Sequence, residues 1–307
     1  MSDEASDPPS PLPPGASLSP GALAPPDGLV LVSTPIGNLQ DLSGRAIAAL
    51  RAADTILCED TRVTARLCAV FGITATLLAL HDHNEEGRIP QVLRMLAEGR
   101  RVALVSDAGT PLVSDPGYRL VRAVLEAGLP VGAVPGPNAA LLALTLSGLP
   151  PHPFLFIGFL PPKGAARRAA LARLRAAERA GLTATLLFHE SPHRLAEALA
   201  DLADLLGPRP AAVARELTKR FEEVVRATLP ELAARYAETP PRGEITLVVG
   251  PPPLEAAPAE ADLDALLRAA LEGHSMKEAV AEVTAATGLP RRQVYARALG
   301  LAGSDRV

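Results

Sequence analysis

The sequence predicts an α/β protein, and three observations point that way. Short apolar runs alternate with helix-length segments along most of the chain. Three of those runs empty into loops of small, turn-forming residues: Ser33-Thr34-Pro35-Ile36-Gly37-Asn38, Ser106-Asp107-Ala108-Gly109-Thr110-Pro111 and Val134-Pro135-Gly136-Pro137-Asn138-Ala139. The composition, 48% hydrophobic and 21% charged, is that of a globular protein with ample core material.

Residues 1–27 are rich in Pro, Ser, Ala and Gly without periodic apolar residues, and read as a disordered tail. The first domain, 28–149, opens with a strand at Leu29 to Val32. A helix at Ser43 to Arg51, a strand at Thr55 to Cys58 and a helix at Arg62 to Phe71 follow. Next come a strand near Thr76 to Leu80, a helix at Ile89 to Glu98 and a buried strand at Val102 to Val105. A helix at Tyr118 to Ala127, a strand at Val131 to Val134 and a helix at Asn138 to Leu146 complete it. Strand and helix in turn imply a parallel sheet covered on both faces.

The Pro-rich stretch at Leu149 to Pro153 reads as a linker to a second α/β domain, 150–250. Its strands are expected at Phe154 to Gly158, Thr183 to Phe188, Ala211 to Arg215, Glu222 to Ala227 and Glu244 to Val249. Helices are expected at Ala166 to Ala180, His193 to Leu206 and Leu229 to Tyr236, with Ser191 capping and Pro192 opening the second. A helix between two strands, with hairpin character around Thr218 to Ala227, makes this sheet mixed. Residues 251–260, with four prolines from Pro251 to Pro258, form a second linker. In 261–307, helices at Met276 to Thr284 and Arg291 to Leu299 around a turn at Gly288 resemble a helix-turn-helix.

A net charge of −4 argues against a chain that is basic throughout and leaves room for a local basic patch. Cys58 and Cys68 show neither metal-ligand spacing nor a disulfide framework, so a reduced, cytoplasmic setting is expected. The most apolar stretch, Ala139 to Leu160, is cut by prolines, so no membrane span is expected, and the N-terminus lacks signal-peptide features.

No GxGxxG or GxxxxGK[ST] is present, so the usual polyphosphate cradles are missing. The ligand site is expected where the Gly/Pro loops gather at strand ends. Asp107 there either accepts from a polar or cationic ligand or caps a helix. His81-Asp82-His83-Asn84 is better read as a loop reaching the cleft than as a metal site. His189 and Glu190 at a strand end serve either chemistry or capping. Arg215-Glu216-Leu217-Thr218-Lys219 is either part of a site or a solvated ion-pair network. Lys163 to Arg179 carries six basic residues against Glu178, which suits either phosphate binding or a solvated face.

In order along the chain, further motifs join these: Glu59-Asp60-Thr61-Arg62, Ser114-Asp115-Pro116-Gly117, Phe156-x-Gly158-Phe159-Leu160-Pro161, Glu190-Ser191-Pro192-His193-Arg194 and Gly243-Glu244. Over residues 28–250 this series resembles the ribosomal small subunit methyltransferase I family of the tetrapyrrole methylase superfamily. Asn138 departs from the Ser found in many of its members.

The resemblance implies two α/β domains of the tetrapyrrole methylase type with a cleft between them, and a helical appendage. It implies S-adenosylmethionine-dependent 2′-O-methylation of a cytidine in the decoding centre of 16S rRNA, by a homodimer acting on the small ribosomal subunit. It places cofactor contacts on Pro35, Ile36 and Gly37; on Asp107, Ala108, Gly109, Thr110 and Ser114; on Pro135 to Ala139 (Pro135, Gly136, Pro137, Asn138, Ala139); and on Phe188, Gly243 and Glu244.

Candidates for a catalytic base are Asp60, His189, Glu190 and Glu216, with Lys219 steadying developing charge. Arg167 and Arg168, with Arg291 and Arg292, are expected to grip RNA backbone. No metal is expected. The competing readings are a superfamily member acting on a tetrapyrrole, and a nucleic-acid-binding regulator using the terminal helices.

Overall fold

The computed structural model describes residues 27–253, 260–287 and 289–304. Most of the expected tail (1–26), residues 254–259 of the second linker and Gly288 of the expected turn lie outside the described residues. The chain divides into two compact units, Met1–Gly250 and Pro251–Val307.

Five strands form the first sheet: β1 (Leu29–Val32), β2 (Thr55–Cys58), β3 (Thr76–Ala79), β4 (Val102–Val105) and β5 (Val131–Val134). They lie in the order β3-β2-β4-β1-β5 with every pairing parallel. Helices α1 (Gly44–Ala52) and α2 (Thr61–Phe71) cover one face, where Leu50 and Cys68 meet Val30, Ile56 and Val105. Helices α3 (Glu85–Ala97) and α4 (Tyr118–Glu126) cover the other, where Val92 and Leu120 meet Leu29, Leu57 and Leu104. Both faces are buried, so every position of β2 and β4 is buried rather than alternating, and Thr55 is the one polar residue among them.

Helix α3 starts a turn earlier than the sequence predicts and carries Pro90 inside it. The added turn has a task. Gly117 ahead of α4 has no side chain to cap it, and the buried Glu85 carboxylate instead accepts from the Leu120 amide at 2.9 Å.

The second sheet holds β6 (Phe154–Phe159), β7 (Thr185–Glu190), β8 (Pro210–Arg215), β9 (Glu223–Thr228) and β10 (Ile245–Val249), ordered β6-β7-β10-β8-β9. Only β6 and β7 pair in parallel, so the sheet is mixed, with a β8–β9 hairpin pairing. Helices α6 (Gly164–Arg179), α7 (Leu195–Leu206) and α8 (Leu229–Glu238) pack on one face. The other face is covered by α5 (Ala139–Ser147), which leaves the first sheet and sets Ala140, Ala143 and Leu144 against Leu187, Ala212 and Val248. That packing explains why α5 is apolar on nearly every side, and it brings the strand ends of the two sheets together.

Helix α7 begins at Leu195, not at His193 as expected, with Arg194 as its N-cap. The Arg194 amide closes a turn on the Ser191 carbonyl at 3.1 Å, and its guanidinium donates to the Leu160 carbonyl and to Glu190. Ser191 and Pro192 therefore stay in the loop.

The second unit holds α9 (Glu260–Gly273), α10 (Met276–Thr287) and α11 (Arg291–Ser304) around Leu263, Leu267, Val280, Val283, Val294 and Ala298. Arg297 bridges to Asp264 at 2.6 and 2.8 Å, tying α11 to α9. Among the described residues no helix is long and apolar enough to cross a membrane.

Candidate active site at the facing strand ends

Three loops are laced together at the C-terminal ends of β1, β4 and β5. Thr34 and Gly109 exchange backbone hydrogen bonds at 2.8 and 3.1 Å. Thr110 Oγ1 donates to the Pro137 carbonyl at 3.1 Å and accepts from Asn138 Nδ2 at 3.3 Å. Such closeness needs glycine. A Cβ on Gly136 would lie 2.9 Å from Ser33 Cβ, and Gly109 adopts φ +92.

Where these loops face the second sheet there is a cavity of about 390 Å³. Ile36, Asp107, Ala108, Ser114, Asp115 and Ala139 line it from one side, and Phe159, His189, Glu190, Leu217, Gly243, Glu244 and Thr246 from the other. Four carboxylates, Asp107, Asp115, Glu190 and Glu244, are on its wall, and no lysine or arginine is. Apolar surface with converging anionic groups suits a ligand that is partly flat and apolar and carries positive charge. Leu112 and Ser114 take left-handed conformations (φ +71 and +67) in the loop that carries Asp115, backbone strain of the kind that collects at ligand sites.

Burial lifts Asp115 to about 6, helped by the charges of Glu59 and Asp107 and opposed by a hydrogen bond with Ser106. Burial also raises Asp107, whose Oδ1 accepts from the Asp60 amide at 3.1 Å. Glu59 is raised in the same way, with Asp107 and Asp82 adding to it. In the sequence Asp115 and Glu59 belong to the motifs Ser114-Asp115-Pro116-Gly117 and Glu59-Asp60-Thr61-Arg62, but neither is assigned a role in the site. The signal lay in Asp115 heading a second turn motif directly after Asp107's, and in Glu59 ending an apolar strand.

The expected catalytic residues separate clearly. His189 lines the cavity between the rings of Phe156 and Phe159, 5.1 and 5.5 Å away, with Nδ1 3.2 Å from Thr246 Oγ1. Burial lowers its pKa and holds the ring neutral. Glu190 reaches the wall but spends its oxygens on the Ser191 amide (2.8 Å) and on Arg194 (3.2 Å).

Lys219 lies outside the wall, its Nζ 2.9 Å from Glu216 and 3.1 Å from Glu244. Burial disfavours that charge, yet the two carboxylates win and raise its pKa. Burial likewise pushes Glu216 up, and hydrogen bonds from Lys219 and the Glu244 amide bring it below its ordinary value. Asp60 caps α2 and pairs with Arg62 at 2.6 Å, which holds it at about 2. It is not on the cavity wall.

Several expected cofactor residues stand behind the wall. Pro35, Gly37, Gly109, Thr110, Pro135, Gly136, Pro137 and Asn138 position the loops without lining the cavity. Phe188 is a correction: strand alternation turns it away from His189 and into the core beneath α7, where it is fully buried.

Arg167 is another. It is 4% exposed and held by Asp201 at 2.6 Å and Glu197 at 3.3 Å, so its guanidinium serves α6–α7 packing rather than RNA. Arg168 is half exposed but engaged by Asp201 and Asp204. Arg291 and Arg292 are exposed at the start of α11. The His81–Asn84 segment closes a turn before α3, with Asn84 Oδ1 accepting from the His81 amide at 2.9 Å.

The family model described as Tetrapyrrole (Corrin/Porphyrin) Methylases matches residues 28–233, and that of the RsmI C-terminal HTH domain matches 257–302. A protein of Micromonospora olivasterospora named ribosomal RNA small subunit methyltransferase I is 51% identical over 273 residues, covering 87% of this chain and 85% of its own. One of the same name from Bacillus subtilis is 40% identical over 87% of this chain and 92% of its own. The crystal structure of the methyltransferase CobJ, 25% identical, superposes with a TM-score of 0.54 over 73% of this chain and 94% of its own.

Proposed function

The chain belongs to the tetrapyrrole methylases and, within them, to the ribosomal RNA small subunit methyltransferase I family; from that membership we propose that it methylates 16S rRNA with S-adenosylmethionine, at the 2′-oxygen of a cytidine in the decoding centre. The observation that carries the cofactor is the cavity wall, with four carboxylates and no basic side chain. The donor, when bound, supplies an electrophilic methyl group on a cationic sulfonium, and its amino-acid end carries an ammonium beside a carboxylate. Asp107 and Asp115, neither of them salt-bridged among the described residues, suit the positive charges, while Ile36, Val113 and Leu217 give apolar surface. The residues present therefore fit the cofactor.

Alignment of the reacting groups supplies most of such a rate, and the laced Gly/Pro loops hold the wall rigid for it. A ribose hydroxyl also has to lose its proton. Of the four candidate bases, His189 alone both faces the cavity and is free of a salt bridge, and its neutral ring has a nitrogen available. Asp60 is too acidic, and Glu190 and Glu216 are committed to Arg194 and Lys219. His189 accordingly takes the proton in this reading.

Arg291 and Arg292 contribute contacts to RNA backbone, a second copy of the chain completes a homodimer, and the setting is cytoplasmic, in keeping with the two unpaired cysteines.

Purified enzyme incubated with labelled donor and small subunits lacking the modification tests this. Label mapped to a cytidine 2′-oxygen is the expected result. Label on a porphyrinoid alone, or none on RNA, overturns it.

A further inference from the structure

Behind the wall that carries Asp107 lies a second cavity, of about 230 Å³. Its floor is Thr34 and Ser106, and its side is one face of α2: Val63, Arg66, Leu67 and Val70, spaced three and four residues apart. Asp107 is the one residue lining both cavities. The β1 and β4 loops thus form a partition, with Pro35 and Ser106 on one side, and Ile36 and Ala108 on the other.

Three features set this cavity apart from a packing defect. Its rim is apolar yet open, since Leu39, Val63 and Val70 are 45, 39 and 61% exposed. Exposed aliphatic side chains gathered around a hollow mark a surface that gains by being covered. Arg66 sits on the same face, exposed and without an ion-pair partner among the described residues, while its neighbour Arg62 is taken by Asp60. Finally, Asp107 commits one oxygen to the Asp60 amide and has no described partner for the other.

We propose that this second cavity is the acceptor subsite, taking the base of the target nucleotide between Leu39, Val63 and Val70, with Arg66 meeting a flanking phosphate and Asp107 at the seam where acceptor and donor meet. The inference rests on the RNA methylation proposed above and deepens it. A two-substrate transfer needs two sites that touch, and these two cavities share one wall residue. The smaller suits a single pyrimidine ring held by apolar walls, with a carboxylate to accept from its exocyclic amine. It is far too small for a macrocycle.

Four variants test it, each assayed for donor affinity by calorimetry, for KM and kcat on small subunits, and for the salt dependence of RNA binding. Val63→Phe fills the cavity and should raise KM for small subunits tenfold or more while donor affinity stays within twofold. Arg66→Ala should reduce the salt slope by about one phosphate contact. Ala69→Phe, on the same helix but off the cavity, should be silent. Val70→Phe, further out on the rim, repeats the first test should Val63→Phe fold poorly.

An unchanged KM in both filled variants overturns the assignment, as does equal damage from Ala69→Phe. A change in oligomeric state with KM intact gives the apolar rim to a protein partner and overturns it too. Wild-type enzyme that turns over no small subunit sinks the RNA reading itself, and this subsite with it.

Discussion

Lys219, from the second sheet, lies against the backbone of Gly37, from the first: a Cβ added at Gly37 would be 2.4 Å from Lys219 Cγ and 2.9 Å from Thr218 Oγ1. The contact spans the cleft and places Lys219 where it bridges Glu216 and Glu244. Gly37 therefore acts as a spacer, although it does not line the cavity itself.

Gly37→Ala should displace Lys219 and loosen Glu244 on the cavity wall. Misplacements of this order can cost about 10²-fold in rate. Kinetics with saturating RNA and varied donor should show a kcat/KM loss of at least about tenfold, with the chain still folded by circular dichroism.

Asp115 titrates near 3.8 in the unfolded chain and at about 6 in the folded one. Between those values the folded state holds the extra proton, so this group's contribution to stability falls as pH rises from about 4 to about 6, then levels off. Asp115→Asn should remove that slope and stabilise the protein at pH 7 relative to wild type. Urea unfolding at pH 4, 5, 6 and 7 reads the difference. Donor binding moves the opposite way. A cation favours the carboxylate, so wild-type affinity should climb across pH 5–7 and the variant's should not.

Arg209 and Glu178 form a doubly hydrogen-bonded pair, both contacts 2.6 Å, with each side chain 1% exposed. Removing Arg209 leaves the buried Glu178 only the longer contact with Arg175, at 3.7 Å. Arg209→Met should cost about 3–5 kcal/mol in chemical unfolding, whereas Glu178→Leu combined with Arg209→Met should recover much of that loss. Neither change should alter donor affinity measured below the unfolding transition.

The four arginines first grouped as an RNA grip should behave differently. Arg291→Ala with Arg292→Ala should lower the salt slope of RNA binding by about two contacts, leaving unfolding unchanged. Arg167→Ala should instead destabilise the fold, because it removes a buried side chain from the α6–α7 packing and takes one partner from the largely buried Asp201. Salt titrations and unfolding curves on the two variants separate these outcomes.

Local chain properties settled much of this molecule before any coordinates. Runs such as Val102–Val105, with no polar position, and Thr55–Cys58, polar only at its first residue, had to be buried on both sides, and loops of Gly, Pro and Asp after them had to form the strand-end site. The mixed character of the second sheet also followed, from a helix wedged between two of its strands. Period and turn chemistry depend on neighbours a few residues apart, and a sequence carries that information directly.

Tertiary structure decided the rest. The sequence of Lys163 to Arg179 cannot show that Asp201 and Glu197 rise from α7 to bury Arg167, nor that α5 crosses to cover the second sheet. It marks His189 and Phe188 equally, and only the facing of β7 turns one to the cavity and the other to the core. Asp115 gains its raised proton affinity first from burial, and then from the charges of Glu59 and Asp107, which follow separate strands. Charge pairing, side-chain facing and desolvation arise between segments distant in the chain, so they exist only once the sheets have closed on one another.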